Sequence, residues 1–70
     1  MTPEDVRALL TDEWRTTGEI ARGIPSDRRT QAGHVQAVRR ALDSDYRFGL
    51  VERRETRRGG IRMWEWRRAQ

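Results

Sequence analysis

The 70-residue chain has no cysteine, no lysine, one histidine, and a single tyrosine and phenylalanine. Without cysteine, neither a disulfide framework nor a thiolate metal site is available. Without lysine, a glycine-rich phosphate loop of the kind completed by that residue cannot be built. One histidine makes no cluster, and helical geometry puts His34 at the flank of the core, where a partly buried structural role is expected. No apolar run approaches the ~18 residues of a membrane span or the apolar segment of a signal peptide. A mature, soluble, cytoplasmic protein that does not engage membranes is the expectation. Ser26, Ser44 and His34 stand in no nucleophile motif. Asp43 and Asp45 bracket Ser44 without the remaining ligands of a calcium loop, so they read as loop caps. Neither metal, cofactor nor catalysis is expected, so the chain reads as a binding protein and not an enzyme.

What the chain does have is charge. Charged residues make up 37% of it against 34% hydrophobic ones, so the core of this single domain must be small. At this length only about 60% of the unfolded surface is buried on folding. All fifteen basic residues are arginine, and eleven acids leave a formal net charge of +4. The charge is unevenly placed. Residues 1–27 carry three arginines against six acids, a net −3; residues 28–70 carry twelve against five, a net +7. One-sided charge with a pI near 11.2 is the electrostatic footprint of a polyanion binder.

The pattern of elements follows from periodicity. Thr2 as cap, Pro3 at the first helical position and the spacing of Val6, Leu9, Leu10 and Trp14 predict a helix over about 3–13. Trp14 to Thr16 suits one brief strand. Thr17 can cap a second helix over about 18–23, with Glu19 in its first turn, Ile20 and Ala21 inward and Gly23 as the stop. The third helix is expected over about 27–43, capped by Ser26 or Thr30, with a start near Asp27 preferred. At ~100° per residue its core stripe would be Gln31, Val35, Val38 and Leu42, and its outward face Arg29, Gly33, Gln36, Ala37 and Arg40. "DSDYRFG" reads as a loop. "LVERRE" and "IRMWEWR" read as two strands of period two around "TRRGG", forming a hairpin over about 50–67. A turn at Arg57–Gly60 would set Val51 opposite Trp66 and Thr56 opposite Ile61. Trp64 and Trp66 then support the foot, and Arg57 and Arg58 project from the tip.

Helix, short strand, helix, longer helix, hairpin is an order that resembles the winged helix-turn-helix superfamily of bacterial regulators. The similar stretches are "TTGEIARGI", "RRTQAGHVQAVRRAL" and "GLVERRETRRGGIRMWEW". The resemblance implies an α+β fold of three helices, a short strand and a two-stranded C-terminal wing. It also implies a duplex DNA-binding protein, such as a small transcriptional regulator or a phage-type accessory factor. The third helix would enter the major groove and the wing would meet backbone or minor groove. Carried residue by residue, the helix contacts are Arg28, Arg29, Thr30, Gln31, Gly33, Gln36 and Arg40. The wing contacts are Arg54, Arg57, Arg58 and Arg62, with the amides of Gly59 and Gly60. Guanidinium forks suit guanine edges and phosphates, and glutamine suits adenine. Two other readings stay open: an interaction module whose basic surface meets an acidic protein, and RNA or single-strand binding through the hairpin. A homodimer through helix 1 or the C-terminal strand also stays open.

Overall fold

The computed structural model describes residues 3–25 and 30–69. Expectations for Thr2, Ser26, Asp27, Arg28 and Arg29 therefore lie outside the described residues. The chain is an α+β domain in which three helices lie against a three-stranded antiparallel sheet: α1 (Pro3–Arg7), β1 (Arg15–Thr16), α2 (Thr17–Arg22), α3 (Gln31–Arg47), β2 (Val51–Arg58) and β3 (Ile61–Arg68). The short strand is not separate from the hairpin. It pairs with β3, giving the order β1-β3-β2.

Helix α1 is far shorter than its periodicity predicts. Its end tightens through i to i+3 bonds, Leu9 N–H to Val6 and Leu10 N–H to Arg7. The next carbonyls are then claimed from a distance. The backbone N–H of Arg68 donates to Thr11 (3.0 Å) and its guanidinium to Leu10 (2.9 Å). Val6 and Leu10 are buried as expected, but Leu9 is exposed. Trp14 lies outside the helix altogether, with the guanidinium carbons of Arg54 and Arg67 each 4.5 Å from its ring centroid.

Helix α2 begins one residue earlier than expected, because Thr16 rather than Thr17 is the cap. Thr16 accepts from the Glu19 N–H (3.2 Å) while Glu19 accepts from the Thr16 N–H (3.1 Å), a reciprocal capping box. Gly23 ends the helix, and Ile20 and Ala21 are buried.

Helix α3 is displaced toward the C-terminus. Thr30 is extended and its hydroxyl accepts from Gly33 N–H at 3.0 Å, so the start near Asp27 is replaced by one at Gln31. The expected loop at Asp43–Arg47 is helical. Aspartate and serine disfavour a helix interior, but here tertiary partners override propensity: Asp45 pairs with Arg7, and Asp43 with Arg39 and Arg53. The stop is instead a Schellman motif. Gly49 takes φ +72°, its N–H reaches Tyr46, and Leu50 N–H reaches Asp45. With these bounds the buried stripe is His34, Val38, Ala41, Leu42 and Asp45. Gln31 is exposed and Val35 only half-buried, a correction to the expected stripe. His34 is buried fully, and its Nε2–H donates to the Ala21 carbonyl at 2.8 Å, tying α3 to α2.

The hairpin turns on two residues, not four. Gly59 and Gly60 have φ of +59° and +80°, the signs a type I′ turn requires. Arg58 consequently faces Ile61, Arg53 faces Trp66 and Val51 faces Arg68. The register differs by two residues from the expected one. A shift of two preserves facing, so Val51, Arg53 and Glu55 still share a side with Trp66, Trp64 and Arg62. That side meets α3 through Arg53, which pairs with Asp43 and stacks on Tyr46 and Trp64. Trp66 is fully buried, its indole N–H donating to the Thr17 hydroxyl at 2.9 Å; Trp64 is half-buried.

Candidate nucleic-acid interface

The fold sorts twelve of the thirteen described arginines into two populations; Arg15 stands apart, 3.8 Å from Glu13. Six are engaged in supporting the structure. Arg7 holds Asp45, Arg53 lies between Asp43 and two aromatic rings, and Arg68 bonds Leu10. Arg67 bonds Glu52 and stacks on Trp14. Arg54 and Arg58 both reach Glu65, at 2.8 and 2.9 Å, and Arg58 continues to Glu19 at 3.3 Å. Glu65 is buried in spite of its charge because these two guanidiniums supply its hydrogen bonds.

The carboxylates respond accordingly. The hydrogen bond from Arg54 holds Glu65 below the usual carboxylate value, with Arg58 adding to it and burial opposing both. Glu19 is also held low, first by the Thr16 backbone N–H and then by the Thr16 hydroxyl; burial opposes them, and the charges of Arg58 and Arg15 lower it further. The line Trp14–Arg54–Glu65–Arg58–Glu19 is thus a continuous polar strut across the sheet face away from α3. It ends on the cap of α2.

The second population, Arg62 excepted, has little to hold it. Arg22, Arg40, Arg47 and Arg57 make no ion pair among the described residues, and Arg39 sits 3.8 Å from Asp43, a long contact. Arg62 is bonded to Glu55 but stands directly across the ladder from Arg57. Like charges opposite one another cost stability, so this pair is a local excess of positive charge. Arg22, Arg39 and Arg62 line one open groove of about 420 Å³ between α2, α3 and β3, whose walls include Thr17, Gly18 and Trp64. Arg39 also lines a second groove, of about 360 Å³, together with Arg47 and Arg53. Five of these arginines follow one another along the surface: Arg47 and Arg39 line one groove, Arg39, Arg22 and Arg62 the other, and Arg62 faces Arg57 across the ladder.

Of the residues picked out in the sequence, Gln31, Gln36 and Arg40 are exposed on α3 and available to a partner. Arg57 and the positive-φ glycines Gly59 and Gly60 sit at the hairpin tip as expected. Thr30 and Gly33 have a structural task instead. The threonine hydroxyl is engaged as cap, and a Cβ on Gly33 would come within 3.0 Å of it. Arg54 and Arg58 are not free projections, because Glu65 holds both. Arg22, Arg39 and Arg47 were not singled out in the sequence, because nothing in their immediate neighbours distinguishes them from the other arginines; only the grooves that the fold builds bring them together.

Among the described residues no group of three or more His, Cys, Asp or Glu is placed to hold a metal ion, and no helix is long and apolar enough to cross a membrane. No family model, no curated protein and no solved structure matches the chain.

Proposed function

We propose that the protein binds duplex DNA as a small winged helix-turn-helix domain, of the kind used by transcriptional regulators or phage accessory factors. The outward side of α3 lies in the major groove and the β2–β3 hairpin acts as the wing on the backbone or minor groove. The observation that carries this reading is the run of exposed arginines along α2, α3 and the hairpin tip, most of them without a close carboxylate. Arginines along one surface, with Gln36 and Arg40 exposed on the same helix as Arg39 and Arg47, provide phosphate contacts that position and side chains that read base edges. The order of elements supports it: a capped short helix, a longer helix tied to it by His34, then a hairpin with a tight glycine turn.

Selection of preferred sites from random duplex DNA, followed by salt titration, tests the proposal. Arg22, Arg39, Arg47, Arg57 and Arg62 are five candidate phosphate contacts. If all engage, log affinity falls with log salt at a slope of about −4.5, roughly a five-hundredfold loss between 50 and 200 mM salt. Gln36→Ala and Arg40→Ala reduce discrimination between selected and random duplexes by about 1–3 kcal/mol for a bidentate base contact. A slope near zero overturns nucleic-acid binding and favours an acidic protein partner. Tighter binding to the matching single strand overturns duplex recognition.

A further inference from the structure

We propose that the groove between α2, α3 and β3 seats one backbone phosphate of a bound nucleic-acid strand, held by Arg22, Arg39 and Arg62; this rests on the duplex reading above. Three arginine side chains, from three different elements, line the same open space. Two of the three are short of negative charge. Arg22 makes no ion pair among the described residues, Arg39 has only the distant Asp43, and Asp43 is shared with Arg53. Glu55 serves Arg62 while Arg57 stands opposite it. The one acid lining the groove, Glu19, already accepts the Thr16 N–H and pairs with Arg58. An anion entering there meets donors whose forked geometry matches phosphate oxygens. Trp64 and Met63 give one wall of lower polarity, which strengthens the attraction by reducing solvent screening.

The shape favours a strand over a free ion. The groove is open, and beyond Arg39 the surface continues into the second groove beside Arg47 and Arg53. A chain of phosphates can enter at one end and leave at the other. The seat contributes affinity and no sequence preference, because it touches only backbone. Arg22 and Arg39 are exposed, so removing them leaves the fold intact.

The test is a salt titration of duplex binding by the wild-type protein, the double variant Arg22→Ala plus Arg39→Ala, and Arg15→Ala, an exposed arginine that does not line the groove. Thermal melting of each variant checks that it is folded. The double variant flattens the slope of log affinity against log salt by about 1.8 units, two contacts at ~0.9 each, equally on selected and random duplexes. Arg15→Ala leaves the slope unchanged. Wild-type binding with an unaltered slope in a folded double variant overturns the seat while leaving duplex binding standing. A flattening of about 0.9 by Arg15→Ala, half that of the double variant, also overturns it, since the effect is then net charge alone. Inorganic phosphate is the last arm. At matched ionic strength it displaces duplex no better than chloride does; stronger displacement, lost in the double variant, shows a site for free phosphate and overturns the strand. If the wild-type protein shows no salt-dependent duplex binding, the duplex reading fails first and the seat with it.

Discussion

Arg57 and Arg58 are adjacent at the hairpin tip, yet replacing each with alanine should give opposite results. Arg57 has no ion-pair partner among the described residues, so its loss should change stability by about 0.5 kcal/mol or less, the usual range for surface sites. In a duplex complex it should release about one counterion, flattening the salt slope by ~0.9. Arg58 donates to the buried Glu65 at 2.9 Å and pairs with Glu19 at 3.3 Å. A hydrogen bond to a charged group contributes about 1.5–3 kcal/mol. Arg58 is 52% exposed, however, and Glu65 keeps Arg54, so the contribution must be discounted toward the ~0.2–1 kcal/mol of exposed pairs. A cost of about 1 kcal/mol is the balanced figure. In a domain of this size that lowers the melting temperature by about 4–8 °C. The salt slope of Arg58→Ala should stay close to wild type, since its guanidinium faces two carboxylates and not phosphate. Thermal melts by circular dichroism and fluorescence-anisotropy titrations at several salt concentrations measure both quantities. Equal melting temperatures for the two variants, or a slope that flattens for Arg58→Ala and not Arg57→Ala, would refute the division into strut and contact.

Trp66 is the largest fully buried side chain, and Trp66→Ala should cost about 3–5 kcal/mol, enough to leave much of the protein unfolded at room temperature. A chemical-denaturation midpoint close to wild type would show that the sheet is not anchored there. Glu65 and Glu19 are both held below the usual 4.5, so their contribution to stability is present above about pH 4.5 and is lost as pH falls through the folded values. Glu65→Gln should therefore give a shallower acid limb in a stability–pH profile; coincident limbs for variant and wild type would remove Glu65 as a cause of acid sensitivity.

Short-range signals were legible wherever a residue's conformation depends on its immediate neighbours. The glycine pair fixed a positive-φ turn, period two marked both hairpin strands, and Thr16–Glu19 spells out a capping box, although Thr17 next to it offers the same capping chemistry. Because a register shift of two leaves the facing of a strand unchanged, the side shared by Trp64, Trp66 and Arg53 was correct despite the wrong partners. The Schellman stop at Gly49 was written in the sequence as well, but "DSD" carried the stronger local message of a loop. Propensity is a weak prior, and the carboxylates of Asp43 and Asp45 found arginines that hold them inside the helix.

The charge asymmetry was likewise a property of sequence alone, whereas the state of each arginine was not. Nothing local distinguishes Arg57 from Arg58, or Arg39 from Arg53. Each is an arginine beside polar neighbours, and its availability depends on which acid the fold brings within reach. Glu65 lies eleven residues from Arg54, and Asp45 thirty-eight from Arg7. Helix α1 shows the same limit: its apolar spacing continues past Arg7, but Arg68 takes the carbonyls of Leu10 and Thr11 from 57 or more residues away. Sequence by itself determined a basic α+β domain ending in a tight hairpin, because periodicity, caps and turn glycines act over a few residues. Tertiary structure alone decided where the helices stop and which arginines stay free, because both depend on partners that only folding brings together.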